Sequence, residues 1–303
     1  MSTFKSLLAS TRPAFLILAP VCVAVGIGTA YWQTGRLNWL DVLLVLIGGV
    51  SAHVCVNVFN EYFDFKSGLD AKTQRTPFSG GSGALPAHPE KVRATFWLAW
   101  GSFALTALIG VYFVWLRGWQ LLPVGILGLV LLVTYTTWWV YDPFLCLVAP
   151  GLGFGVLMVM GTHFALTGTY TWTAFIASLV PTFLVSDLLL LNQFPDVEPD
   201  RTVGRKHYPI LVGRKTSAVI YGVLLLLAYV SIIVGVILKL LPIYCLIALV
   251  TAILAWRAYS GVRGNEDNPP LLGPSMGMNV VVNLATPLLL AIGLFIGGAL
   301  LVH

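Results

Sequence analysis

Two short stretches of this 303-residue chain carry acids and amides at spacings suited to metal-ion and phosphate chemistry. One runs Asn60-Glu61-Tyr62-Phe63-Asp64 and continues to Asp70, Lys72 and Arg75; the other runs Asn192-Gln193-Phe194-Pro195-Asp196 and continues to Asp200, Arg201, Arg205 and Lys206. Each has an Asn, an Asp four residues later, a second Asp and then cations. Asp carboxylates and Asn carbonyls are oxygen ligands of the kind Mg²⁺ takes, in near-octahedral sites usually shared with substrate phosphates. Acids beside cations thus describe a place where metal ions neutralise a diphosphate while Lys and Arg bind its remaining oxygens. Zinc is disfavoured, because no Cys or His pair has ligand spacing. Ser79-Gly80-Gly81-Ser82-Gly83 lacks the Gly-Lys-Ser/Thr ending of a Walker loop, and reads as a hinge or as a run of amides for phosphate.

His53, Asn57, Asn60 and Asp64 are spaced by four, three and four residues, which puts them on one helical face. In a membrane helix such a stripe looks into the bundle or a wet cavity. Interhelical hydrogen bonding also accounts for His53 and Asn57, whereas two acids followed by two cations point to a site. Asn192, Asp196 and Asp200 are spaced by four, but Pro195 and Pro199 predict that the helix ends or kinks near Phe194. Asp187 is an intramembrane acid and so a functional candidate, although a regular helix turns it about 140° from Asn192. His163 is a similar candidate. Tyr135, a turn deeper than Trp138, Trp139 and Tyr141, is placed to lend its ring face to a cation, while the tryptophans fit an interfacial belt. Gly151 and Gly155 fit close helix packing.

The elements that must position these residues are membrane helices. Apolar residues make up 58% of the chain and charged residues 10%, far from the roughly 25% charged residues of a soluble globule. Nine apolar stretches are long enough to cross a ~30 Å hydrocarbon layer: 13–32, 40–59, 92–116, 121–140, 144–166, 173–191, 217–238, 241–256 and 276–302. Spanning segments must satisfy their own backbone groups, so these are helices. The first, preceded by Lys5 and Arg12, also fits the layout of a signal peptide, but its long apolar core and the coherent charge count it gives favour a retained helix. With nine crossings, fourteen of the 17 Lys and Arg residues fall on the amino-terminal side and three, Arg36, Arg117 and Lys239, on the other. Positive charge concentrates in cytoplasmic loops, which places the amino terminus and the long loops 64–91, 192–215 and 257–274 in the cytoplasm and the carboxyl terminus outside. Cys22, Cys55, Cys146 and Cys245 stand singly in apolar segments and read as packing residues. The expected fold is a single all-α integral membrane domain, 1–303. The motifs close its second and sixth helices, which suggests an internal four-helix repeat.

The stretches Asn60 to Asp70 and Asn192 to Arg201, the latter followed by Gly204-Arg205-Lys206, resemble the UbiA superfamily of membrane prenyltransferases. That resemblance implies about nine helices bundled around a central cavity, capped by cytoplasmic loops and open sideways to lipid. It implies Mg²⁺ as cofactor, an isoprenyl diphosphate donor and an aromatic acceptor, in the inner (plasma) membrane, with no nucleic-acid partner. Asn60, Asp64, Asp70, Asn192, Asp196 and Asp200 would bind the Mg²⁺–diphosphate, with Lys72, Arg75, Arg201 and Lys206 on the diphosphate. Tyr135 would face the allylic cation, Asn57 and His163 join the cavity as ligand-binding candidates, and Asp187 or His163 would deprotonate the acceptor. Five residues separate Asp64 from Asp70 where many members have three. That wider spacing is similar to the branch that prenylates 1,4-dihydroxy-2-naphthoate in menaquinone synthesis. Pro195 stands where an Arg is common, and the Gly/Ser-rich run 76–85 has no counterpart in that reading.

Two other functions fit parts of this pattern. A lipid acceptor would use the same diphosphate site. An ion-coupled transporter would also combine helix breaks with acids, but it places ionisable residues near the bilayer midplane, whereas these acids gather at one face beside cations.

Overall fold

The computed structural model describes residues 3–73 and 75–301, so Val302, at the end of the ninth expected segment, lies outside the described residues. Every described element is helical, and each of the nine apolar stretches lies on a helical rod. A short surface helix α1 (Thr3–Ser10) precedes α2 (Leu18–Thr34) and α3 (Trp39–Ser67). The loop after α3 holds a short α-helix, α4 (Ala84–Ala87), and two single 3₁₀ turns, Leu69–Ala71 and Pro89–Lys91, before α5 (Val92–Arg117) and α6 (Leu122–Thr134). Next come α7 (Pro143–Leu152) and α8 (Met158–Thr167), then α9 (Trp172–Asn192), with two short helices behind it, α10 (Val197–Thr202) and α11 (Tyr208–Leu211). Helices α12 (Gly213–Ile237), α13 (Ala252–Asn265) and α14 (Gly273–Leu301) complete the chain. Among the described residues seven rods are long and apolar enough to cross a membrane; the other two, α2 with 17 residues and the rod Trp119–Thr134, are shorter. The fourth expected segment, 121–140, is helical only to Thr134, because the chain turns through residues 135–141.

Capping fixes where the motif helices start and stop. Asn38 caps α3 by accepting from the Leu40 and Asp41 amides, and Thr171 caps α9 by accepting from Ala174. Helix α3 ends at Gly68, whose φ of 75° is the left-handed conformation glycine tolerates, and the Gly68 amide donates to the Asp64 and Phe65 carbonyls. The turn brings Asp70 back over the helix end. Helix α9 stops at Asn192, two residues before the expected Phe194, and Asp196 then leads into α10.

The rods pack through small residues. In the centre, α2 lies against α3, α8, α9 and α14, with Gly26 against Thr162 and Gly28 against Leu294. Gly151 and Gly155 press α7 and the following turn onto α9: a methyl group added at either would run into Thr182, so this pair does serve close packing. Residues Gly153–Leu157 form a π-helical turn between α7 and α8, just after Pro150 inside α7. Proline's missing donor and the wide turn loosen the ladder where the helix borders the cavity described below. Exposed Trp39, Trp115, Trp119 and Trp172 ring one end of the bundle and Trp97, Trp138 and Trp256 the other, as interfacial aromatics do. Trp139 departs from that belt: it is half-buried and its indole nitrogen is enclosed.

Gly155→Val forces the rod off α9. Overpacking of this kind costs about 1–3 kcal/mol, so the midpoint of thermal unfolding in detergent falls, whereas Gly101→Ala, where an added methyl meets nothing, does not lower it.

Candidate active site

A cavity of about 560 Å³ opens between α3, α5, α6 and the α7–α8 rod. On α3 its wall runs from Val45 to Asp64, which is ~28 Å of helix and close to the thickness of the hydrocarbon layer. Most of the wall is apolar. Exposed Val111, Leu122 and Ile126 line it too, so it meets the lipid-facing surface between α5 and α6. Gly110, Gly125 and Gly128 on these helices have open space where a side chain would stand. At the far end Arg117 pairs with Asp41 at 2.8 Å and donates to the Ala165 carbonyl.

The two motifs meet at the other end. Asn57, Asn60, Asp64, Asp70, Tyr135, Asn192, Asp196 and Asp200 all line the cavity. Arg205 joins the motifs: one guanidinium nitrogen pairs with Asp64 and the other with Asp200 at 3.2 Å. His207, which is buried, faces the second oxygen of Asp200 at 3.1 Å. A second cation comes from the turn between α1 and α2. Arg12, held at a φ of 53°, donates to Glu61 at 2.8 Å and to Asn60 at 2.9 Å. Fully buried Glu61 also accepts from the Ser82 amide and hydroxyl, each at 2.7 Å. The Gly/Ser run is therefore folded onto the site as a lid: Ser79, Gly80 and Gly81 line the cavity. Its Ser82 amide is already taken by Glu61. Five carboxylates, Glu61, Asp64, Asp70, Asp196 and Asp200, thus face two guanidinium groups, an excess of negative charge that calls for cations.

Several expected residues lie elsewhere. Lys72, Arg75, Arg201 and Lys206 are exposed and do not line the cavity; Lys72 donates to Thr202 of α10 at 3.3 Å, and Arg201 pairs with Glu198. His163 is clamped between Thr29 at 2.9 Å and Thr171 at 3.2 Å. Thr171 caps the start of α9, and the 21 residues of that helix put Asn192 ~30 Å away, so His163 sits at the opposite membrane face. Asp187 is buried toward α14, accepting from Asn279 at 3.0 Å and Asn283 at 3.4 Å, and does not line the cavity. Both are polar ties between helices. Arg12 lies too far along the chain from the motifs to stand out as more than a topology charge, and Glu61 and His207 lie beside the motifs but outside their spacing. Arg205 was visible only as one of several cations.

The sequence profile of the UbiA prenyltransferase family matches residues 18–279. A 1,4-dihydroxy-2-naphthoate octaprenyltransferase of Bacillus subtilis is 30% identical over 223 residues, which cover 73% of this chain and 70% of the relative. A UbiA homolog from Aeropyrum pernix K1 superposes with a TM-score of 0.72 at 17% identity, covering 93% of this chain and 97% of that one. A homolog from Archaeoglobus fulgidus bound to GPP and Mg²⁺ superposes with a TM-score of 0.68 at 14% identity, covering 94% and 99%. The chain belongs to the UbiA prenyltransferase family: it is a multi-pass membrane prenyltransferase.

The donor set suits Mg²⁺. Among the described residues Asp70 Oδ2, Asn192 Oδ1 and Asp196 Oδ1 are buried without a hydrogen-bond partner, oxygens of the type this ion takes. Among the described residues no three His, Cys, Asp or Glu side chains form a ready-made metal cage. Burial first, then the charges of Glu61 and Asp64, push the Asp70 carboxyl up to about 7. Burial first, then Asp200, push Asp196 up to about 7 as well. Burial opposes the charge on Arg205, but Asp64 and Asp200 outweigh it and raise its pKa. A metal ion binds the ionised carboxylates, so protons compete with it increasingly as pH falls through about 7 and stop competing about two units above. Calorimetry of Mg²⁺ with a prenyl diphosphate at pH 7, in buffers of different ionisation enthalpy, will show proton release that fades near pH 9. Buffer-independent heats at pH 7 would contradict this reading.

Proposed function

We propose that this protein carries out Mg²⁺-dependent transfer of an isoprenyl chain from its diphosphate to an aromatic, 1,4-dihydroxy-2-naphthoate-like acceptor within the membrane. The observation that carries the reading is the joining of both acid motifs, by Arg205, at the head of a bilayer-deep apolar cavity. Asn60, Asp64, Asp70, Asn192, Asp196 and Asp200 would hold Mg²⁺, which when bound neutralises the charge of the departing diphosphate. Arg12 and Arg205 are the cavity's own cations for the diphosphate oxygens. The polyprenyl tail lies along the apolar wall, where Gly110, Gly125 and Gly128 leave it room. As the C–O bond breaks, its electron pair leaves with the diphosphate and the allylic carbon becomes cationic. The cavity keeps water from that carbon, and Tyr135 offers it a ring face. An aromatic ring carbon then supplies the pair for the new C–C bond. The 1,4-dihydroxy-2-naphthoate octaprenyltransferase among its relatives supports the acceptor class, and the sorting of cations supports a cytoplasmic site in the plasma membrane.

Asp64→Ala and Asp196→Ala will each lower transfer from a labelled prenyl diphosphate by about 10²-fold or more, as will a chelator. Unchanged activity in both variants would refute the site. Gly125→Leu with Gly128→Leu fills the tail wall, so the ratio of kcat/KM for a long donor over a short one will fall; an unchanged ratio would move the tail elsewhere.

A further inference from the structure

Prenyl transfer to a hydroxylated aromatic needs a group that takes up the hydroxyl proton, and Asp187 and His163, the bases expected from the sequence, lie outside the cavity. His53 lies inside it. Its side chain is 5% exposed, the ring meets Phe154 edge-on with centroids 4.6 Å apart, and among the described residues neither ring nitrogen has a hydrogen-bond partner. A buried imidazole used only to tie helices together would be bonded, as His163 is to two threonines. His53 stands on the motif face of α3, one turn below Asn57 and two turns, ~10 Å, below Asn60. His207, the other imidazole at the cavity, is committed to Asp200.

Resting on the prenyl-transfer reading above, we propose that His53 binds the acceptor hydroxyl and takes its proton. A ring seated between the acid motifs and His53 presents a carbon to the donor above and a hydroxyl to the imidazole below. The imidazole accepts the hydroxyl proton as the oxygen's electrons move into the ring. The ring carbon bonds to the allylic carbon, and the pair of the breaking C–O bond leaves on the diphosphate. The alkylated carbon then loses its hydrogen as a proton to the diphosphate, or a carboxylate as CO₂, and the imidazolium returns its proton to the oxygen. Of the charged side chains that line the cavity with His53, Arg12, Asp64, Asp70, Asp196, Asp200 and Arg205 all stand toward its motif end. Of the other titratable side chains on the surrounding elements, Cys22 of α2 and Cys55 of α3 are buried thiols. His163 of α8 and Asp187 of α9 are turned into their own hydrogen bonds, and those of α5 lie near its ends.

The test uses the full chain in vesicles with Mg²⁺, a prenyl diphosphate and a dihydroxynaphthoate, and compares His53→Gln and His53→Ala with the wild type from pH 6 to pH 10. A general base contributes about 10²–10⁴-fold, so kcat at neutral pH falls at least about 10²-fold while KM for the donor moves less than about threefold. The deficit shrinks as the acceptor hydroxyl ionises on its own at higher pH, and imidazole restores part of the activity of His53→Ala. Near-wild-type kcat, or a loss that is the same at every pH and unresponsive to imidazole, overturns the role of His53 and leaves prenyl transfer standing. Absence of transfer by the wild type overturns both.

Discussion

Arg205 spans the two acid motifs, and the rest of the site depends on that bridge. Buried like charges repel strongly where water cannot screen them, and stripping one partner from a buried ion pair costs about 3–5 kcal/mol. Asp64 closes a helix that begins near the opposite membrane face, and Asp200 lies on α10, more than a hundred residues later in the chain. With a guanidinium fork between them, both can be held at the head of one cavity. Arg12 does the same for Glu61 and Asn60, and Glu61 in turn holds the Gly/Ser lid through Ser82. Motifs, lid and amino-terminal turn are thus one electrostatic unit whose remaining negative charge is left for cations to satisfy.

The bundle beneath serves that unit by providing a dry wall. Small residues do much of this work. Gly151 and Gly155 let the α7–α8 rod lie against α9, and the π turn beside Pro150 borders the cavity. Across the space, glycines of α5 and α6 leave the wall open to lipid. Polar groups that face other helices instead of this space, such as Asp187 with Asn279 and Asn283, tie rods together away from the cavity.

The helices and the motif acids were legible in the sequence because hydropathy over twenty residues and a repeated Asn-to-Asp spacing are local signals. Pro195 and Pro199 marked the end of α9 to within two residues. What the sequence did not reveal was which cations reach the acids. Lys72, Arg75, Arg201 and Lys206 follow the motifs in the chain, yet they are exposed and do not line the cavity. Arg12 is 48 residues from its partner Asn60, a long-range contact that no spacing rule reports. Asp187 and His163 show the converse: an intramembrane polar residue marks a place where helices meet, and only packing decides whether that place is a cavity or a seam. His53 differs from His163 in having no bonded partner among the described residues, which the sequence cannot register.

The central claim is that both motifs hold metal ions against one diphosphate. Pulsed electron–nuclear double resonance with Mn²⁺ in place of Mg²⁺ and a bound prenyl diphosphate tests this directly. A phosphorus coupling at the metal is expected, weakened or lost in Asp64→Asn and in Asp196→Asn alike. Mn²⁺ bound with no phosphorus coupling, or a coupling that survives in either variant, would contradict it.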